Sequence, residues 1–344
     1  MTGGLSTRYD DNVTYVKENP KGDFITGATV GIGLSQEGKS DTFKMNGNVT
    51  QEFFWDNSSF NNNRQDMDLE FQKELSKLDH FQLDDTFLHA EAPRSFEDAF
   101  GSANGRYAFY HNKFETEYTR DLSKQFALQT HYGNEFYQAD RADLNDSTRN
   151  HAGVELDYAH SSALIFLLSY DFSVRDFNPG KNIDARTLIT GLRKFFTKQL
   201  YLDVKPGVSW LTSTENDQHF VKAVGLVALT DEITESTKAG IFYQRDSGAH
   251  ASVEDVFNSW RVGCDLSQQL LKRLKGTASL FYGEGDFETS DIEDKFIGVR
   301  AELEYEVKEN LQTFISYDHL QTDSNRDSRD YKKNVATVGM TLIF

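Results

Sequence analysis

Apolar and polar residues alternate one by one along almost the whole chain. In FIGVRAELEY the set Ile297, Val299, Ala301, Leu303 and Tyr305 opposes Gly298, Arg300, Glu302 and Glu304. In HAGVELDY the set Ala152, Val154, Leu156 and Tyr158 opposes Gly153, Glu155 and Asp157. A period of two marks strands with one apolar and one polar face. It predicts eighteen strands, at about 4–16, 23–35, 41–55, 63–75, 79–91, 105–120, 125–139, 148–160, 163–177, 183–196, 200–213, 217–229, 235–247, 256–268, 274–286, 295–306, 311–322 and 331–344.

The connections between these strands fall into two kinds that take turns. LSQEGKS, LSKLD, LSKQ, HSS, FTKQ, LTDEIT, LLKRL and VKENL are short. KENPKG, DNSSFNN, PRSFEDAFGSANG, QADRADLNDS, NPGKN, STEND, SGAHASVED, ETSDIED and TDSNRDSRD are polar and mostly longer. A soluble sandwich also alternates, but eighteen strands of about 12–15 residues are too many and too long for one. Closure removes the sheet edges and lets the charged face line water while the apolar face meets lipid. The predicted fold is therefore all-β: residues 1–344 as a single transmembrane outer-membrane antiparallel β-barrel of about 18 strands, with short periplasmic turns and long extracellular loops. The last strand, NVATVGMTLIF, keeps Ala336, Val338, Met340 and Leu342 in register with the terminal Phe344. A terminal aromatic on such a strand resembles the signal by which barrels are recognised for insertion.

Composition agrees with this reading. Proline is scarce, with 4 residues, whereas 15 tyrosines and 27 phenylalanines suit long aromatic strands. The longest apolar run, ALIFLL, falls far short of the ~18–20 residues a spanning helix needs. A net charge of −18 without a basic stripe excludes a nucleic-acid partner. The single Cys264 excludes an internal disulfide and a thiolate metal cluster. It shares its register with Trp260 and Val262, as a small apolar residue on the lipid side. The start, MTGGLSTRYDD, has no basic-then-apolar leader. For a bacterial outer-membrane location, the expectation is a leader already removed.

Gly33 to Ser40 match the phosphate-loop pattern G-x-x-x-x-G-K-[ST]. A phosphate loop must run into a helix whose amide groups hold the anion. Here Phe43, Met45, Gly47 and Val49 alternate with Lys44, Asn46, Asn48 and Thr50. The segment reads as a hairpin, with Gly38 in the turn and Glu37 placing negative charge where a phosphate would sit.

The N-terminal STRYDDNVTY, followed by GDFITGATVGIGL, resembles the opening hairpin of the putative β-barrel porin 2 family of Gram-negative bacteria. The residues concerned are Arg8, Tyr9, Asp10, Asp11, Asn12 and Val13, then Asp23, Phe24 and Gly31. The resemblance implies an outer-membrane channel linked to exopolysaccharide or capsule export, with a polysaccharide and periplasmic export proteins as partners. The barrel itself implies contact with outer-membrane lipids and lipopolysaccharide.

The inward set supplies the candidate pore-lining residues: Glu115, Glu117, Glu155, Asp157, Arg193, Asp203, Lys205, Lys222, Lys238, Arg261, Arg300 and Glu302. They serve either as charge rings that set selectivity or as cross-strand pairs that fix the wall. Eighteen strands enclose a lumen too wide for side chains alone to fill. Water or a folded-in loop must occupy it, and Phe96, Glu97, Asp98 and Phe100 in PRSFEDAFGSANG are the candidate constriction. An open channel for a hydrophilic solute and a plugged barrel that docks an envelope complex are both compatible with this. His160, Ser161 and Ser162 sit in a predicted turn without an orienting third member, so no enzyme is expected. His89, His250 and His319 form no ligand spacing, so neither a metal nor a cofactor is expected. The acidic clusters 140–146, 288–294 and 322–330 read as solvated charge, with Ca²⁺ bridging to lipopolysaccharide as the alternative.

Overall fold

A computed structural model describes residues 1–92, 100, 105–214, 218–234 and 236–344. The eighteen strands are β1 (Thr2–Asp10), β2 (Asp23–Glu37), β3 (Asp41–Phe54), β4 (Asn62–Glu74), β5 (Asp79–Ala90), β6 (Phe109–Asp121), β7 (Phe126–Ala139), β8 (Asp146–Ser161), β9 (Leu164–Asn178), β10 (Ile183–Phe195), β11 (Leu200–Ser213), β12 (Gln218–Thr234), β13 (Thr237–Ala249), β14 (Val256–Leu271), β15 (Leu274–Phe287), β16 (Ile292–Lys308), β17 (Leu311–Ser324) and β18 (Tyr331–Ile343). Each pairs antiparallel with its neighbours in sequence. β1 also pairs with β18, from Thr2↔Ile343 to Asp10↔Val335, which closes the sheet into a barrel.

Each predicted strand has its counterpart, and the largest boundary difference lies in the first. β1 ends at Asp10 rather than near residue 16. The buried Asn12 turns the chain, its Nδ2 donating to the carbonyls of Val16 at 2.7 Å and Lys332 at 2.9 Å. Asn12, which falls within the first predicted strand, thus belongs to a turn. The phosphate-loop match resolves as the hairpin between β2 and β3. The Gly38 amide donates to the Asp41 carbonyl at 2.7 Å, and a strand follows Ser40 instead of a helix.

The two faces of the wall differ as the alternation requires. Val30, Ile32, Leu34, Leu280, Leu303, Val338 and Met340 are exposed on the outside. Exposed apolar side chains in a continuous band are stable only against lipid. Aromatic side chains mark both edges of the band. Tyr9, Phe24 and Trp55 pack at the long-loop end, with ring centroids 5.0 and 5.4 Å apart. Phe126, Tyr158 and Phe166 do so at the short-turn end, at 4.9 and 6.5 Å. Cys264 is exposed on the same outer face, as read from its register.

Candidate functional site

The buried apolar residues gather inside the barrel near the long-loop rim, because segments from several sides bend into the bore there. Phe281, Phe296, Leu320 and Tyr331 of β15–β18 enclose Tyr15 from the connection between β1 and β2. Phe100, which enters from between β5 and β6, packs against this cluster. Its ring lies 5.5 Å from Phe257, 6.1 Å from Phe281 and 5.7 Å from Phe296. Of the predicted constriction residues only Phe100 can be placed; Phe96, Glu97 and Asp98 lie outside the described residues.

A second segment, 250–255 between β13 and β14, crosses the bore in another direction. Ala251 packs among Leu88, Ala90, Phe109 and Tyr137 of β5–β7. Its carbonyl accepts from Ser147 Oγ at 2.5 Å, and the Asn145 amide donates to the Ser252 carbonyl at 3.0 Å. The Asp255 carboxylate holds the near end, accepting from the amides of Thr289 and Ser290 at 3.1 Å each and from Ser290 Oγ at 2.9 Å. The register explains how β13 reaches inward. Its ladder with β12 begins only at Gly225↔Arg245, so the end of β13 is free of that neighbour. Ala249 there joins the cluster of Phe177, Ile183 and Leu211 on β9–β11.

Between these segments a cavity of about 330 Å³ remains. Phe100, Tyr107, Tyr137 and Phe257 give it aromatic walls, and Glu135, Arg175, Asp246 and His250 give it polar ones. His250, in the connection outside the membrane band, lies against Phe257 and Phe287 with ring centroids 5.9 and 5.4 Å away. Burial, together with the charges of Arg175 and Arg329, pushes its imidazole down to about 3, so it is neutral at physiological pH. Tyr107 is held above the usual phenol range by burial.

Below the mouth the wall is charged but largely self-neutralised. Arg193 forks onto Asp203 at 2.7 and 3.1 Å. Arg300 lies 3.1 Å from Glu302 and 3.7 Å from Asp318, Lys238 lies 3.4 Å from Glu232, and Lys222 contacts Glu288. Arg261 donates to Gln244 at 2.9 Å, and Glu117 accepts from Thr119 at 3.2 Å. Glu115 meets His151 at 2.8 Å. Glu155, Asp157 and Lys205 make no direct ion pair among the described residues. The acidic connections are engaged similarly. Asp143 pairs with Arg141 at 2.7 Å, Asp294 with Arg329 at 2.5 Å and Asp330 with Lys17 at 2.7 Å.

Tyr107 and segment 250–255, including His250, carry no local sequence pattern beyond polarity and become a site only through closure of the barrel. The sequence also leaves apart His131 and His151, which the register places side by side with Asp171.

A closed antiparallel barrel with an apolar outer band, a charged interior and an inward-folded mouth is an outer-membrane β-barrel of the porin-like kind. The model of the family described as Putative beta-barrel porin 2 matches residues 251–344, which hold the last five strands. The N-terminal residues that resemble that family's opening hairpin lie outside the matched segment. Among solved structures, OccK5 (OpdH) of Pseudomonas aeruginosa is 15% identical, with a TM-score of 0.50 over 99% of this chain and 98% of that one. OpdO of Pseudomonas aeruginosa is 13% identical, with a TM-score of 0.49 over 99% and 95%. The alcaligin outer-membrane receptor FauA of Bordetella pertussis is 11% identical, with a TM-score of 0.41 over 99% and 75%. At such identities the likeness is one of fold. No curated protein matches the chain.

Proposed function

We propose that this barrel passes a polysaccharide across the outer membrane and that its inward-folded mouth guides the sugar chain. The observation that carries the reading is the aromatic cavity above a charged bore. Phe100, Tyr107, Tyr137 and Phe257 offer flat apolar faces to the C–H faces of sugar rings, while Glu135, Arg175 and Asp246 supply partners for hydroxyl groups. A polymer entering from the periplasm would reach this cavity last, with periplasmic export proteins delivering it to the short-turn rim. Lipopolysaccharide is the expected neighbour at the outer edge of the apolar band.

The same crossing segments favour a second reading, a plugged barrel that docks other envelope proteins. Planar-bilayer recording separates the two. A stable ohmic step, interrupted when neutral or acidic oligosaccharide is added, supports polysaccharide passage. An ohmic step indifferent to oligosaccharide leaves a general hydrophilic channel, and silence from folded protein favours the plugged scaffold.

A further inference from the structure

The inner wall also carries a donor set that neither the mouth nor the charge ladders require. His131 on β7 and His151 on β8 face the lumen about midway along their shared ladder. His131 Nε2 is 2.5 Å from Asp171 Oδ1 on β9, and His151 Nε2 is 2.8 Å from Glu115 Oε1 on β6. The two rings are 5.9 Å apart, and the donor atoms of His131, His151 and Asp171 all lie within 4.8 Å of one another. Four consecutive strands thus bring two imidazoles and two carboxylates to one spot.

The backbone around them is arranged for this meeting. The motif H-x-G occurs twice, as His131-Tyr132-Gly133 and His151-Ala152-Gly153. The antiparallel register sets His131 opposite Gly153 and Gly133 opposite His151. Each imidazole therefore lies over a residue without a side chain. A Cβ at Gly133 would strike His151 Nε2 and the Glu115 carboxylate, and one at Gly153 would strike the His131 ring and Asp171. Neither glycine has a positive φ, so the backbone does not demand them. Mid-strand glycine weakens a sheet, and here the space it leaves is filled by the neighbouring donors.

We propose that this cluster is a lumenal binding site for a divalent transition-metal ion of the Zn²⁺ type. His131, His151 and Asp171 are its ligands, and Glu115 is the fourth. Imidazole with carboxylate suits Zn²⁺, Ni²⁺ and Cu²⁺ rather than Ca²⁺ or Mg²⁺, which take oxygen alone. With ligand distances of about 2.0–2.2 Å, the donors need only small side-chain rotations to converge on one ion. A metal bound at each Nε2 takes the place of the contact between that nitrogen and its carboxylate. All four side chains are partly exposed to the bore, so an ion in lumenal water can reach them.

The site stands whether or not the lumen conducts, and its test measures binding alone. ZnCl₂ is titrated calorimetrically into the folded barrel in detergent, with CaCl₂ and MgCl₂ for comparison. The expected result is one Zn²⁺ per barrel and no heat from Ca²⁺ or Mg²⁺. His131→Gln and His151→Gln should each weaken Zn²⁺ by about ten- to a hundredfold, the range in which loss of a single supporting contact already falls. Glu304→Gln, on the inner face of the distant strand β16, should not. X-ray absorption on the loaded protein should show two imidazole ligands. Cold gel mobility identifies any variant that has not folded, in which case absorption on the unmutated protein decides. Failure of the folded protein to bind Zn²⁺, equal binding by both histidine variants, or a spectrum without imidazole would overturn the proposal.

Discussion

The ring of Phe100 lies 5.7 Å from that of Phe296, although Phe100 enters beside β5 and Phe296 belongs to β16, seven strands away by the shorter route round the ring. A contact between such distant strands is made across the bore. Phe100→Ala should therefore enlarge the unitary conductance while leaving the fold in place. Phe100 is only partly buried, so the substitution should cost well under the roughly 3–5 kcal/mol of a fully buried phenylalanine. An unchanged conductance would show that the narrowest section lies elsewhere.

Charge on the outer face should be far less tolerated than loss of charge on the inner one. Val299→Arg and Leu156→Arg should each cost about 2–4 kcal/mol in a folding titration if they lie near the bilayer midplane. Glu155→Gln should be almost neutral. Glu302→Gln loses a partly exposed pair with Arg300, worth about 0–1 kcal/mol. Equal sensitivity of the two sets would contradict the register.

How far this architecture was legible in the sequence follows from range. Alternation within a strand and the taking of turns between short and long connections are local, and they located all eighteen strands. The side-chain sidedness of Val299 against Arg300 is likewise a matter of parity. Contacts between segments distant in sequence left no such trace. Ala251 meets Leu88 only because the barrel is closed, and His131 meets His151 because a six-residue connection and two strand lengths set one register out of many. The charges read as selectivity rings were located by parity too, but their pairing, Arg193 to Asp203 for example, depends on which rotamers neighbouring strands permit.

The assignment of rims predicts a labelling pattern. In a Cys264→Ser background, Glu18→Cys and Ser328→Cys should react with an impermeant maleimide on intact cells, whereas Lys124→Cys should not. Labelling of Lys124→Cys in unbroken cells would invert the barrel.

His250 makes the mouth sensitive to acid. Its ordinary value is 6.5 and its folded value about 3, so the unfolded or opened segment takes up a proton before the closed one does. Stability of the closed mouth is full above about 6.5 and is lost progressively as pH falls toward 3. The charges facing it do not offset this, since Arg175 and Arg329 repel the imidazolium and Glu135 attracts it only weakly. Proteolysis of segment 250–255 should rise between pH 7 and pH 4, and His250→Gln should flatten that rise.

Permeation should favour cations at low salt. Acidic residues outnumber basic ones by 54 to 36, and the inner-wall carboxylates Glu155 and Asp157 make no direct ion pair among the described residues. Near 1 M salt, where the Debye length is about 3 Å, the contribution of the outer connections should vanish and only that of the wall persist. The reversal potential across a salt gradient reports both regimes, and an anion preference at low salt would assign control to Lys205 and its basic neighbours.

The seam between β1 and β18 sets the order in which the structure can be completed. Every other ladder joins strands that are neighbours in sequence, but on the seam side Thr2 waits for Ile343. Until that last pairing forms, β1 and β18 stand as two open edges, the form of sheet most prone to pair with a stranger. Removing the nine residues of β1 would leave sixteen of the eighteen strand-to-strand ladders untouched in sequence, yet would return the molecule to that unfinished, edge-bearing state. Quality control that senses such edges would in effect be reading the first ten residues.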